Sequence, residues 1–390
     1  MKKRTYSTVI YVLFFGALAL FALAPPALAD FTGPYESQNW SNNVTFGPLD
    51  VSINPETGPS PFMEFSYEEP QPYDYTDRLA AFNTVAAHTG KISFDWEYEY
   101  FHCWNQAYRK LMVYTDGPSG MTVQTLVDGS NGPDILTGSA SIDVNDGYEF
   151  GIEVGGRHYD SSMFLEGKVT LTNFSETYFY FLPYFVGHTN HWTGIGLRNA
   201  NASSSATVDV FVYDTNGNVL QNDTISIAAR GHDVFTIGDG QPNEGWIKID
   251  STQPLVGLCF VATTGTQNYM ADIPFASELS TLLYVPHVGQ GPVYDTCVMV
   301  CNPNATDTIV TLTFVDQQGN PLYTKSQTVN ANGSWKYELK NLLDSSTANY
   351  GSVEISASNG LAAFALYDNR KNDGYSYAGI SAVIPPGVNP

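Results

Sequence analysis

Positive charge is scarce in this sequence. Among its 390 residues, 17 are Lys or Arg and 39 are Asp or Glu, which gives a formal net charge of −22 at pH 7. Nucleic-acid binding depends on Lys and Arg contacts to phosphate, so this balance argues against nucleic acid as a partner. An anionic lipid surface would repel the chain for the same reason. Divalent cations remain candidate partners, although an acidic surface also serves simply to keep a protein soluble.

Long apolar runs are also scarce, and the sequence has one, over residues 9–24. It follows a basic start at residues 2–4 and leads into the Pro-Pro-Ala-Leu-Ala segment at 25–29. These are the three parts of a secretory signal peptide, and the run is shorter than the ~20 residues that span a membrane. The sequence therefore predicts a signal peptide over 1–29 and a mature chain from Asp30 without a membrane span. The expected location is extracellular or at the cell surface, with the periplasm as the alternative.

The signatures of several common enzyme classes are missing. The sequence contains no Gly-x-Ser-x-Gly, no His-Glu-x-x-His, no phosphate-binding loop and no Cys-x-x-Cys. We therefore predict that the protein is not an enzyme. A secreted hydrolase remains an alternative, because a glycosidase needs only two carboxylates that the fold brings together.

Cysteine is rare for an exported protein, with only Cys103, Cys259, Cys297 and Cys301. Cys297 and Cys301 are predicted to lie on one strand, where four residues span ~13 Å. That separation exceeds the ~7 Å limit for a disulfide. We expect mostly unpaired, buried thiols, with a disulfide between domains as the alternative.

An internal repeat is the clearest organisational feature. The stretch from about 178 to 279 recurs from about 282 to 385 at a nearly constant offset. Small drifts in the offset fall where turns are expected, as in two copies of one fold. Matching positions include Thr193 and Thr296, Asn199 and Asn302, Asn201 and Asn304, Asp214 and Asp316, Gly217 and Gly319, Asn218 and Asn320, Gly245 and Gly351, and Ile249 and Ile355.

Each copy has the pattern of short strands joined by tight turns. Val208, Val210 and Val212 alternate with outward positions, the period of a half-buried strand, and Asp214 to Asn218 supplies hairpin-turn residues. We predict an all-β protein in which each copy is an immunoglobulin-like (Ig-like) β-sandwich of roughly seven strands. The copies are expected as separate beads, with short linkers near residues 176–177 and 280–281.

The two copies resemble a β-sandwich module of secreted and surface proteins of environmental bacteria. This resemblance covers the repeated part of the chain and implies no known activity. It is carried by Pro286-His287, Trp192-Thr193, Asn302-Pro303, Asp214 with Gly217-Asn218, Gly245-Trp246, and Ala363-Phe364-Ala365.

Residues 30–175 do not match the repeat and are predicted to form a separate N-terminal domain. They resemble the jelly-roll-type domain that opens many exported bacterial proteins, which implies a jelly-roll-like β-sandwich. The resemblance rests on Phe31-Thr32-Gly33-Pro34-Tyr35, Ser93-Phe94-Asp95-Trp96, Asp146-Gly147-Tyr148-Glu149-Phe150-Gly151, and Thr172-Asn173-Phe174-Ser175.

An aromatic row is the first candidate site. Phe94, Trp96, Tyr98 and Tyr100 share one face of the predicted strand over 92–100. With Trp104, the rings of Trp96 and Tyr98 are candidates for stacking on a sugar. The alternative is a row of core residues, because aromatic side chains at a period of two usually face inward.

The opposite face of the same strand is acidic. Asp95, Glu97 and Glu99 are candidate ligands for Ca²⁺, which takes six to eight oxygens. The alternative is an ordinary solvated face. No other cofactor is expected.

These observations favour an exported, non-catalytic structural or adhesive protein. Its expected partner is a surface glycan or another extracellular protein, bound by exposed loops of the sandwiches. A carbohydrate- or Ca²⁺-binding module in the N-terminal domain is the second hypothesis, and a secreted hydrolase is the third.

Overall fold

The protein is all-β, as the sequence predicts. The described part of this computed structural model contains β-strands and two short 3₁₀ turns, at Ser37–Asn39 and Leu339–Asn341. Residues 1–29, including the predicted signal peptide, lie outside it. No helix in the described residues is long and apolar enough to cross a membrane. The structure describes residue 31 and residues 35–56, 61–70, 76–101, 108–118, 120–130, 134–157, 165–187, 190–237, 243–263, 270–292, 294–341, 349–369 and 376–385.

The described residues of the N-terminal sandwich form ten strands. They form two antiparallel sheets, in the orders β1-β4-β9-β6-β7 and β2-β3-β10-β5-β8. The strands are β1 (Ser41–Phe46), β2 (Asp50–Glu56), β3 (Phe62–Glu68), β4 (Arg78–Val85), β5 (Gly90–Phe101), β6 (Tyr108–Gly117), β7 (Gly120–Ser130), β8 (Ile135–Val144), β9 (Glu149–Arg157) and β10 (Glu166–Gly187).

The pairing of these strands is that of a jelly roll. Strand β6 pairs with β7, β5 with β8, β4 with β9 and β3 with β10, so four nested antiparallel pairs are rolled into two facing sheets. Strands β1 and β2 extend one edge of each sheet. The core between the sheets is rich in aromatic residues, including Tyr35, Trp40, Phe65, Phe82, Phe94, Phe150 and Phe174.

Repeat 1, over residues 178–279, is a sandwich of eight strands in its described residues. Its sheets have the orders β13-β12-β15-β10 and β14-β11-β16-β17, so it has one strand more than the roughly seven expected. The additional strands are β11 (His191–Asn199), β12 (Ala206–Asp214), β13 (Val219–Ile227), β14 (His232–Ile237), β15 (Asn243–Ser251), β16 (Leu255–Thr263) and β17 (Met270–Ile273).

Repeat 2, over residues 282–385, has the same architecture with one fusion. The long strand β23 replaces both β15 and β16, its first half pairing with β18 and β20 and its second half with β19 and β24. Pro254 separates β15 from β16 in repeat 1, because proline has no N–H for a ladder; Gly360 holds the matching position. The strands are β18 (Ser280–Gln290), β19 (Tyr294–Cys301), β20 (Thr308–Asp316), β21 (Pro321–Val329), β22 (Ser334–Glu338), β23 (Asn349–Asn369) and β24 (Ser376–Ser381).

The residues that recur in sequence make the same hydrogen bonds in both repeats. The Asn199 side chain donates to the backbone oxygens of Ser204, Ile227 and Ala228. Asn302 does the same to three oxygens in repeat 2. The repeat therefore preserves the bonds that close each sandwich.

The predicted linker at 176–177 is wrong, because β10 runs straight through it. Glu176 and Thr177 pair with Ile92 and Lys91 of β5. Tyr178 then pairs with both β5 and β15. The sheet is therefore continuous from the N-terminal sandwich into repeat 1.

The predicted linker at 280–281 is also wrong. Ser280 is buried and belongs to β18, where it pairs with Leu361. Its hydroxyl donates to the backbone oxygen of Leu282 at 2.8 Å. The chain thus passes from repeat 1 to repeat 2 within ordered, paired structure.

Repeat 2 packs sideways onto repeat 1 and is not a separate bead. We call the gap between the first and last strands of a repeat its open side; it lies between β10 and β17 in repeat 1. Repeat 2 covers this gap with the outer face of β19 and of the second half of β23. Residues of both repeats therefore share one core. Repeat 2 contributes Cys297, Met299, Phe364 and Leu366 to the core cluster of repeat 1.

The cysteines behave as expected where they are described. Cys259 and Cys301 are free and buried, and Cys297 is buried. Burial raises the pKa of the Cys301 thiol to about 12, which keeps it protonated and unreactive. Cys103 lies outside the described residues.

Candidate functional site

The predicted aromatic row lies in the core. Tyr98 is fully buried and Trp96 is 8% exposed. The Tyr98 hydroxyl lies 2.6 Å from that of Tyr67, and the Trp96 ring packs where a Cβ on Gly138 would stand. Neither ring offers a face to a sugar, so the core alternative is confirmed for both. Trp104 lies outside the described residues.

Asp95 holds the backbone together on the outer face of β5. Its carboxylate accepts hydrogen bonds from Asn173 Nδ2 at 2.7 Å and Ser139 Oγ at 2.5 Å. Both bonds lower the pKa of Asp95, and the bond from Asn173 has the larger effect. Asn173 has a positive φ of 50° at a bulge in β10, so Asp95 fixes this irregular turn of the strand.

The other two predicted calcium ligands have separate surroundings. Glu97 is exposed, whereas Glu99 lies 3.0 Å from Lys168 Nζ. Within the described residues, no group of three His, Cys, Asp or Glu side chains could hold a metal ion. The row of Asp95, Glu97 and Glu99 therefore does not converge on one point, because alternate residues of a strand stand well apart.

A shallow acidic groove lies beside this row on the same sheet. Its volume is about 460 Å³. Lys168 is the single cation among the residues that line it, and it bridges Glu99 and Glu64. The acids that line the groove are Asp50, Glu64, Glu68, Glu99 and Glu166.

A larger cavity, about 710 Å³, lies where all three sandwiches meet. We call it the junction cleft. One wall comes from the N-terminal sandwich, the floor from β10 and β15, and the opposite wall from the loops of repeat 2. Its lining includes Thr89, Lys91, Thr122, Gln124, Ser141, Asp143, Asn145, Tyr148, Phe179, Lys248, Asn304, Asn332 and Asn359.

Hydrogen bonds fix the wall that repeat 2 supplies. Asn304 Nδ2 donates to the backbone oxygen of Gly360 at 2.9 Å. Asn359 Nδ2 donates to Thr308 Oγ1 at 2.8 Å. These bonds hold the side-chain amides in place, so the wall is preorganised to meet a polar ligand.

The floor and the N-terminal wall are equally well fixed. The Phe179 backbone N–H donates to the backbone oxygen of Thr89 at 3.0 Å. Lys248 Nζ lies 3.7 Å from the centre of the Phe179 ring and 3.0 Å from Asp250. Burial is the main cause that raises the pKa of Asp250, while Lys248 opposes the shift.

The lining of the junction cleft combines polar side chains with a few aromatic rings. Amides, hydroxyls and aromatic rings dominate its lining, and Asp143 is the one acid among the lining residues that the structure describes. Acid–base hydrolysis of a glycoside needs two carboxylates facing one bond. Phe179 and Phe181 are buried, so the cleft offers hydrogen-bond donors and acceptors together with the half-buried ring of Tyr148, and its described lining includes no pair of acids.

Sequence reasoning missed the junction cleft because its residues come from separate parts of the chain. No motif links Gln124, Phe179 and Asn359. The only available signal was the Asn-x-Asn that occurs in both repeats. It placed Asn304 in a turn common to the two repeats but did not show what that turn faces.

The sequence matches no family model and no curated protein.

Proposed function

We propose that the protein is an exported, non-catalytic structural or adhesive protein that holds a neutral polar partner, a surface glycan, in the junction cleft. The observation that carries the proposal is the lining of the cleft: fixed amides and hydroxyls beside the half-buried ring of Tyr148, with Asp143 as the one acid among the described lining residues. Sugars present hydroxyls for such groups and an apolar ring face for an aromatic side chain.

The architecture supports a mechanical or scaffolding role. Strand β10 joins the first two sandwiches, and a shared core joins the second to the third. Such junctions resist the relative motion expected of domains held only by linkers. A body of this kind can present a binding cleft at a fixed angle. The resemblance to modules of secreted bacterial proteins and the predicted signal peptide support work outside the cytoplasm.

Binding to a glycan array, followed by calorimetry with the glycans found, tests the cleft. Gln124 is exposed and lines the cleft, so Gln124→Ala should weaken binding at least fivefold without loss of folding. Gln327 is an exposed glutamine of β21 outside the cleft, and Gln327→Ala is the matched control. Equal affinity of both variants, or no glycan bound by the folded protein, would reject the cleft as a glycan site.

Cell fractionation tests the proposed location. The protein should be found at the cell surface or in the medium. Confinement to the periplasm would count against an adhesive role.

A further inference from the structure

Repeat 1 carries an exposed apolar surface on the outer face of its β14-β11-β16-β17 sheet. Val234, Val256 and Leu258 are 71%, 63% and 49% exposed. A Cβ on Gly196 would lie 3.5 Å from Leu258 Cδ1 and 3.9 Å from Val234 Cγ2, so these side chains converge above the glycine. Contiguous exposed apolar side chains mark an interaction surface. We call this surface the donor face.

The matching face of repeat 2 is buried against repeat 1. Its strand β19 is buried on both sides, whereas β11 of repeat 1 is not. The register makes the two faces equivalent: Met299 pairs with Lys336 as Gly196 pairs with Val234. The internal junction of the repeats therefore shows how a face of this kind docks.

At that junction, Lys336 meets a polar patch beside the open side of repeat 1. Its Nζ lies 3.0 Å from Glu244 Oε1 and 5.3 Å from the centre of the Tyr184 ring. The Tyr184 hydroxyl donates to the same carboxylate at 3.2 Å. A cation on the docking face thus meets an anion and an aromatic ring.

The open side of repeat 2, between β18 and β24, packs against no other sandwich among the described residues and has a different surface. Tyr350 stands where repeat 1 has Glu244, since Gly289 pairs with Tyr350 as Val186 pairs with Glu244. Tyr350 is 43% exposed and stacks on Tyr294, with ring centroids 6.0 Å apart. Preformed aromatic clusters are typical of the energetic centre of an interface.

The donor face and the open side of repeat 2 differ from the internal junction at two positions that face each other. Val234 takes the position of Lys336, and Tyr350 takes that of Glu244. A charged pair inside the molecule therefore corresponds to an apolar pair on its free surfaces. Val234 in the internal arrangement would face the charge of Glu244, and Tyr350 would face the charge of Lys336. Val234 and Tyr350 therefore match each other better than they match the internal partners.

We propose that a second copy of this chain docks its donor face on the open side of repeat 2, so that molecules associate head to tail. Such an interface uses two different surfaces and leaves one of each free, which builds chains or rings beyond a dimer. Asp272 and Arg198 stand where the internal junction has Gly379 and Cys301. Because these side chains are larger, the two molecules lie further apart at the β17 end. The contact between them therefore centres on Val234, Leu258 and Tyr350.

The net charge predicts how salt acts on this association. Each copy carries a net charge of −22, so copies repel one another over a distance that shrinks as salt is added. The contact itself is apolar. Association should strengthen between low and physiological ionic strength, which is the reverse of a charge-driven interface.

Analytical ultracentrifugation of the whole protein tests the proposal. The wild type should form species larger than a dimer as concentration rises. Val234→Lys and Tyr350→Glu change exposed residues on the two faces, and each should raise the dissociation constant at least tenfold. An equimolar mixture of the two variants should stop at a 1:1 dimer, because one intact donor face and one intact open side remain.

The double variant V234K/Y350E rebuilds the internal charged pair and should restore larger species. Ile309→Lys makes the same chemical change at a residue 61% exposed on another face, and it should have no effect. The proposal is overturned by a wild type that stays monomeric, by Ile309→Lys acting like Val234→Lys, or by assembly that ends at a symmetric dimer. A monomer in which Tyr350→Glu weakens glycan binding would instead assign the aromatic cluster to a carbohydrate. Neither Val234 nor Tyr350 lines the junction cleft, so this test is separate from that of the cleft.

Discussion

The indole Nε1 of Trp246 in repeat 1 donates a hydrogen bond to the backbone oxygen of Asn332 in repeat 2, 2.7 Å away. Trp246 is fully buried and stacks on Tyr213 with the ring planes 10° apart. Asn332 has a positive φ of 54° in the turn that carries this oxygen. This bond shows that a specific side-chain contact joins the repeats.

Trp246→Phe should therefore weaken the junction of the repeats. The ring would still stack on Tyr213, but the partly buried Asn332 oxygen would lose its donor, which costs roughly 1 kcal/mol or more. Denaturant unfolding monitored by circular dichroism measures the loss. Trp192→Phe, at a half-buried tryptophan of β11, is the control and should cost within about 0.5 kcal/mol. Equal losses for the two variants would show that the hydrogen bond does not stabilise the junction.

A titrating pair lies where β10 leaves the N-terminal sandwich. His88 Nδ1 is 3.4 Å from Glu176 Oε1, and the His88 ring stacks on Tyr178 at 3.9 Å. Burial raises the pKa of Glu176 from 4.5 to about 7 and lowers the pKa of His88 from 6.5 to about 4. Both shifts favour the uncharged forms of the two side chains, a protonated Glu176 carboxyl beside a neutral His88 ring.

Glu176→Gln should change how stability depends on pH. Because the folded pKa of Glu176 is raised, its carboxyl stabilises the fold below pH 4.5, and that stabilisation is lost as pH rises through 7. Glutamine does not titrate, so the variant does not lose this stabilisation. Its free energy of unfolding relative to that of the wild type should therefore increase by about 2–3 kcal/mol from pH 4.5 to 7. Urea unfolding at several pH values measures the difference. A difference that stays constant over this range would contradict the raised pKa.

The bulge at Asn173 gives a local test of the backbone. Asn173→Gly should be tolerated, because glycine adopts a positive φ without strain, whereas Asn173→Ala should cost about 1 kcal/mol or more. Both changes remove the hydrogen bond to Asp95, so their difference isolates the backbone. Thermal unfolding of the two variants makes the comparison. Equal melting temperatures would mean that the positive φ carries no strain.

Local patterns in the sequence predicted the strands and the repeat well. Val208, Val210 and Val212 face the core as their alternation indicates. Asp214 and Asp316 each accept backbone hydrogen bonds in matching hairpin turns. These features depend on neighbours a few residues apart, and this is why a single sequence reveals them.

The packing of the sandwiches was harder to predict. The Asn173 bulge shifts the alternation within β10, so the strand looked like two strands with a linker between them. The side-by-side repeats did leave a signal: residues 296–301 form a nearly continuous apolar run, whereas 193–198 contain two glycines and an arginine. An apolar run on both faces indicates a strand buried on both sides, and in repeat 2 the second side is repeat 1.

Hydrogen exchange at the two predicted linkers tests most directly whether the three sandwiches form one continuous body. Residues 176–178 lie in the β10–β5 ladder, and Ser280 and residues 282–285 lie in the β18–β23 ladder. They should be as strongly protected as the amides at the centre of β5, with exchange only on unfolding of the surrounding sheet. Rapid exchange at either segment, at the rate of a solvated linker, would contradict the continuous sheet and restore the separate beads.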